Sequence, residues 1–165
     1  MEKLSFIQTV ESTRAELDSI IANISDQLML QPGVSGVMSV KDILAHITWF
    51  EREMIGLLEQ RALAGSDLWN LPSDERNAVI YQLNLQRSLQ DIRNEAIEVF
   101  QLLLKQLENL EEAALDNPAW FRDMPPDWSP SQLLAENTCE HYQQHLADIT
   151  TWLAELPSHT SPSLS

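Results

Sequence analysis

One cysteine, Cys139, leaves the chain unable to close an internal disulfide, so no covalent staple holds it together. Glycine is nearly as scarce, with four in 165 residues. Strand-like alternation is rare as well, against abundant Leu, Glu, Gln and Ala, and a chain so built is expected to be all-helical. No stretch approaches the roughly 20 apolar residues needed to span a bilayer. No basic start leads into an apolar run, as a secretion signal would, so a cytoplasmic location is the expectation. Basic residues are also short, ten against twenty-five acidic, for a formal net charge of -15. A surface of that sign repels phosphate backbones and anionic lipid, so neither nucleic acid nor a membrane is expected as a partner.

What is present is a 44% hydrophobic content, enough for the core of one domain, expected over residues 1–156 with a flexible Ser/Pro-rich tail over 157–165. Ile7, Val10, Leu17, Ile21, Ile24 and Leu28 recur at helical steps and predict a first helix from Leu4 to about Leu30. Ser39-Val40-Lys41-Asp42 reads as a capping box opening a second helix that runs to about Ala64. A loop over Gly65 to Ser73 precedes a short helix from Asp74 to about Leu85. Ser88-Leu89-Gln90-Asp91 is a second box, opening a third helix that stops near Asn117-Pro118. Ser129-Pro130 then caps a fourth helix reaching about Leu156. Four long helices with an extra short helix between the second and third imply a four-helix bundle, antiparallel or with crossovers.

His141 and His145 are four apart and share one face of the fourth helix, while His46 lies at the edge of the apolar face of the second. Three imidazoles so placed can form a three-nitrogen metal site at a half-buried groove, where an open position for water or substrate remains. The competing reading is of partly buried histidines bonded to a carboxylate or carbonyl. Glu53, two turns beyond His46, and Asp148, three residues beyond His145, are the carboxylates available as proton acceptors, fourth ligand or orienting partner. His159 falls in the tail and is set aside. Cys139 sits on an apolar stripe and reads as a small buried hydrophobe.

The run Ser39-Val40-Lys41-Asp42-Ile43-Leu44-Ala45-His46 resembles the second helix of the DinB-like superfamily, where such a run introduces the first metal-binding histidine. His141-Tyr142-Gln143-Gln144-His145 resembles the closing His-x-x-x-His motif of the same superfamily. The stretch Asp74-Glu75-Arg76-Asn77-Ala78-Val79-Ile80-Tyr81 is similar to the ClbS/DfsB-like branch. The resemblance covers nearly the whole chain. It implies a DinB-like four-helix bundle, often dimeric, with a divalent metal such as nickel or zinc on His46, His141 and His145. Relatives in the superfamily include thiol S-transferases using bacillithiol or mycothiol and a thiol-dependent maleylpyruvate isomerase. The namesake of the ClbS-like branch is a cyclopropane hydrolase that does not keep the triad.

Two functions are therefore expected to compete. One is a metal-dependent small-molecule enzyme of the detoxification or stress type, a thiol S-transferase or hydrolase, with a substrate such as a low-molecular-weight thiol. The other is a non-catalytic ClbS-like protein that sequesters a small toxic molecule in a groove lined by Trp49, Trp120 and Trp128. A homodimer is expected too, because Leu44, Leu58 and Trp49 widen the apolar face of the second helix beyond one core stripe.

Overall fold

The computed structural model describes residues 2–157. It contains α1 (Lys3–Ala22), α2 (Asp26–Met29), α3 (Val40–Gln60), α4 (Ser73–Asn84), α5 (Leu89–Asn109), α6 (Pro130–Glu136) and α7 (Cys139–Glu155). No strand occurs among the described residues, and none of their helices is long and apolar enough to cross a membrane. The expected tail lies, beyond Pro157, outside the described residues.

The expected caps form, and of the two expected boxes only the one at α3 is complete. The Ser39 side chain accepts from Asp42 N at 3.2 Å while Asp42 Oδ2 accepts from Ser39 N at 2.9 Å, closing a complete capping box at α3. Ser88 caps α5 through Asp91 N at 3.1 Å, and Ser129 caps α6 through Gln132 N at 3.2 Å, with Pro130 at the first turn.

Helix ends differ from the sequence expectation in four places. α5 stops at Asn109 rather than near Asn117-Pro118, because Leu110 leaves the helix with an extended backbone and a separate turn follows over Glu112–Leu115. The other three have bonded causes. The first helix divides at Asn23, and Ser25 caps the separate turn α2 by accepting from Leu28 N. α3 stops at Gln60 because Arg61 turns left-handed, with φ 49°, and its carbonyl accepts from Arg122 N at 2.8 Å. The expected fourth helix breaks between Glu136 and Cys139. There Asn137 Nδ2 donates to Leu133 O at 2.8 Å and Thr138 Oγ1 to Leu134 O at 2.6 Å, side-chain bonds that bend or open a helix.

The bundle pairs α3 chiefly with α5 and α1 with α7, and α1·α5 and α3·α7 contacts complete it. Leu17, Ile43, Ile47, Ile92, Leu103, Leu107 and Ile149 are its fully enclosed apolar centre. α3 is covered almost all round in its first half, where every residue from Val40 to Thr48 is buried. Leu44 and Leu58 are 4% and 3% exposed within one chain, so of the apolar surplus expected to drive pairing through this helix these two are already used inside the bundle and only Trp49 is partly exposed.

A polar cluster crosses that core. Glu51, on α3, is wholly buried, and its Oε1 accepts from Arg14 Nη1 of α1 and, at 2.6 Å, from Tyr142 Oη of α7. Arg14 also donates through Nε to Asp18 at 3.0 Å and lies 4.6 Å over the Phe100 ring of α5. Four helices thus meet at one guanidinium. Burial pushes the Glu51 carboxyl up to about 7, against the opposing pull of Arg14 and the Tyr142 hydroxyl.

Removing one member of a buried pair strands the other's charge, so Glu51→Ala should lower the unfolding free energy by about 3–5 kcal/mol. Tyr142→Phe, which removes one donor, should cost about 1–3 kcal/mol. Urea denaturation at neutral pH checks both. A Glu51→Ala loss below about 1 kcal/mol would mean that Asp18 alone suffices to hold Arg14.

Candidate metal centre

His46 is carried by α3, whose capping box sets the start of the helix about two turns before it. His141 and His145 follow the break before α7, and their stripe turns inward together with Thr138 and Trp152. The three rings meet. His141 Nε2 lies 3.1 Å from His46 Nε2 and 2.9 Å from His145 Nε2. One ligand nitrogen from each residue falls within 4.8 Å of the others. The rings were expected at a partly solvated border, but they are enclosed: His46, His141 and His145 are 4%, 8% and 5% exposed. The difference arises because α3 is buried all round at this level and Phe50 closes over the site, its ring 4.8 Å from His46 and 4.7 Å from His141.

Enclosure decides the charge of these rings. Burial pushes His46 down to about 3, helped by His145 and Arg76, and pushes His141 down to about 2, helped by His145 and His46. His145 is lowered as well, burial outweighing the opposite pull of Asp148. All three are neutral imidazoles at neutral pH.

Three neutral rings cannot satisfy this arrangement by themselves. Each Nε2 carries either one proton or one lone pair in the ring plane, so His141 Nε2 can complete a good hydrogen bond to only one of its two neighbours. A cation at the centre accepts three lone pairs at once. Imidazole nitrogens about 2.0–2.1 Å from a zinc-like ion in a tetrahedral set stand about 3.4 Å from one another, near the two separations that His141 makes. The ring protons would then sit on Nδ1. His145 Nδ1 faces Asp148 Oδ2 at 3.4 Å, near enough for its charge to act on the ring and longer than a full hydrogen bond. His46 Nδ1 and His141 Nδ1 are buried with no hydrogen-bond partner. The residues present therefore fit a divalent metal ion in donor type, protonation and spacing.

The two carboxylates singled out by sequence stand in different places. Asp148 is beside the triad. Glu53 faces the connection after α3: its Oε2 accepts from Ser66 N at 2.9 Å and from Trp69 Nε1 at 2.6 Å. Gly65 leaves room for this, since a Cβ there would displace that carboxylate and come within 3.1 Å of the Trp69 ring. Trp69 then leans on Phe50 at 5.6 Å and Trp49 at 5.5 Å, linking this connection to the triad. A cavity of about 380 Å³ lies on the Glu53 side, lined by Met54, Leu57, Leu63, Trp69 and Trp128 among others. Of the three tryptophans expected in a groove, Trp128 lines this cavity while Trp49 and Trp120 do not. The thiol of Cys139 is buried and its pKa raised by that burial, as suits an inert core residue.

Glu51, Arg14 and Trp69 went unnoticed in the sequence as contributors to this region. A signal for two of them exists: Leu44, Glu51 and Leu58 recur at steps of seven, as do Ile7, Arg14 and Ile21, so each charge interrupts an apolar line.

A base whose folded pKa is depressed contributes stability that is present above its unfolded value, near 6.5, and is lost as pH falls toward the folded value. In chelator-treated protein, acidification from pH 6.5 should therefore cost about 1.4 kcal/mol per pH unit for each of His46 and His141, beyond what the carboxylates contribute. His46→Gln should make that decline shallower by one such increment, measured as urea midpoints between pH 7.5 and 5. Parallel curves for the two proteins would contradict a neutral buried His46.

The chain matches the DinB superfamily family model over residues 9–149. No curated protein matches it. Among solved structures it is similar to the sibling lethal factor precursor DfsB, with TM-score 0.78 and 16% identity, over 93% of this chain and 96% of that one. The colibactin self-resistance protein ClbS, solved in complex with dsDNA, gives TM-score 0.78 and 14% identity over 94% and 98% of the two chains. A Streptococcus pneumoniae protein gives TM-score 0.81 and 16% identity over 95% and 93%. The ClbS complex corrects one expectation. A protein of this fold binds a duplex, so the exclusion of nucleic acid drawn from total charge does not stand; binding depends on local patches, which a whole-chain sum conceals. With the family model covering most of its length and the four-helix fold shared with these structures, the chain belongs to the DinB superfamily.

Proposed function

We propose that this protein is a metal-dependent small-molecule enzyme, a thiol transferase or a hydrolase, whose divalent ion is held by His46, His141 and His145. The observation that carries the reading is the meeting of three Nε2 atoms, with His141 3.1 Å and 2.9 Å from its neighbours, in a pocket where the rings are neutral. A divalent ion on three neutral ligands keeps its full charge and lowers the pKa of a bound thiol or water.

The chain's own residues supply the rest. Asp148, beside His145 Nδ1, draws that ring's proton to the outer nitrogen and leaves the Nε2 lone pair directed inward. Phe50 covers His46 and His141 and keeps bulk water from them. Glu53 is occupied by two hydrogen bonds, so its role is to anchor Trp69 as a wall of the site. Asp148, with its side chain about a third exposed, is the carboxylate free to exchange protons with solvent.

A second reading has its own support in the cavity between Trp69 and Trp128, which suits sequestration of an apolar molecule without chemistry. Metal content separates the two. Protein purified without an affinity tag, freed of metal and given zinc or nickel, should retain one ion per chain after gel filtration, and His46→Ala or His141→Ala should retain none. Wild-type protein that retains no ion, or variants that keep it, would remove the enzymatic reading and leave the cavity as the functional element.

A further inference from the structure

Arg76 stands apart from every other arginine of the chain. Among the described residues, Arg14, Arg52, Arg61, Arg87, Arg93 and Arg122 each lie within salt-bridge distance of a carboxylate. Arg76 has none, although the chain carries twenty-five acidic residues. The one hydrogen bond of its side chain is a long one, Nη2 to Ser73 Oγ at 3.4 Å, and its Nε is buried without a partner. Its position against the aromatic rings is nonetheless defined. The guanidinium carbon lies 4.7 Å from the centroid of the Trp69 ring and 5.8 Å from that of Phe50. Trp69 is itself fixed by Glu53, and Phe50 touches two of the three histidines. A single aromatic ring thus separates an unpaired, oriented guanidinium from the triad.

An acid-rich protein would be expected to neutralise a part-buried arginine internally, because an unpaired charge near the interior is costly. A second positive charge beside a divalent ion raises that cost. Both are relieved by an anion lying against them, and a guanidinium stacked on aromatic rings still offers its N–H edge to a carboxylate. We propose that Arg76 is the specificity-determining residue of this site and selects a small-molecule substrate bearing a carboxylate, which it binds while the exposed part of Trp69 receives the flat or apolar part. This rests on the metal-centre reading for where the reacting end of the molecule sits, and the test below separates the two.

Calorimetric titration with sodium benzoate, and with benzamide as its neutral isostere, is run on both zinc-loaded and chelator-treated protein, for wild type, Arg76→Gln and Arg76→Lys. Zinc stoichiometry is measured on the same samples. Loss of one charge-assisted contact predicts that benzoate binds wild type roughly ten-fold or more tightly than it binds Arg76→Gln, that benzamide binds no better than benzoate does to that variant, and that Arg76→Lys falls between. Zinc stoichiometry should be unchanged by either substitution. Benzoate binding equal in wild type and Arg76→Gln, equal affinity for benzamide and benzoate, or no benzoate binding at all would overturn the inference. Arg76-dependent binding of benzoate by a protein that retains no zinc would uphold the anion site and sink the metal reading instead.

Discussion

Everything in this protein turns on burying three imidazoles nitrogen to nitrogen. Such a cluster is unfavourable for its own members: burial denies them protons, and no arrangement of the remaining protons satisfies both contacts of His141. It persists because two rigid elements force it. α3 brings His46 from a capped start that leaves no freedom in register, and α7 brings the other two from a fixed break at Asn137 and Thr138. The site is therefore one in which the scaffold holds donors ready, and the unfavourable contacts among them are what a divalent ion would remove.

The stiffness needed for that comes from polar residues of α3 that are buried with assigned partners. Lys41 donates to the carbonyls of Leu85 and Arg87 at 3.1 Å and 2.8 Å, fixing the chain beyond α4. Asp42 closes the helix cap, and Thr48 bonds back to Leu44 O at 2.8 Å. Glu51 then joins α3 to α1 and α7 through Arg14 and Tyr142. Tyr142 is the residue after His141, so the strut that crosses the core also sets the rotation of the helix bearing two of the three histidines. Packing alone would allow α7 some rotation; a directional hydrogen bond from a buried hydroxyl to a buried carboxylate does not.

The meeting of the three histidines was legible in the chain because the rule behind it is local: residues four apart share a helix face, and the run before His46 starts with a readable cap. The helix boundaries at Asn23 and Arg61 and the break at Asn137 were not, because they depend on side chains bonding to backbone carbonyls and on a distant segment, Arg122, pairing with Arg61. Burial of the triad was underestimated for a related reason. Periodicity ranks faces of one helix, whereas enclosure depends on how many neighbours surround it, and α3 has them on all sides in its first half. The positions of Glu53 and Asp148 relative to the triad were likewise outside what spacing can tell, since one points to a loop that folds back after the helix and the other to the ring beside it.

The central claim is that the three Nε2 atoms bind one ion together. X-ray absorption spectroscopy of the zinc-loaded protein tests it most directly, because imidazole rings leave a distinct multiple-scattering signature and the bond lengths are read without a crystal. The account predicts three imidazole nitrogens at about 2.0–2.1 Å with the remaining coordination supplied by a light oxygen donor. A spectrum with fewer than three imidazoles, or with sulfur from Cys139 in the coordination shell, would contradict it.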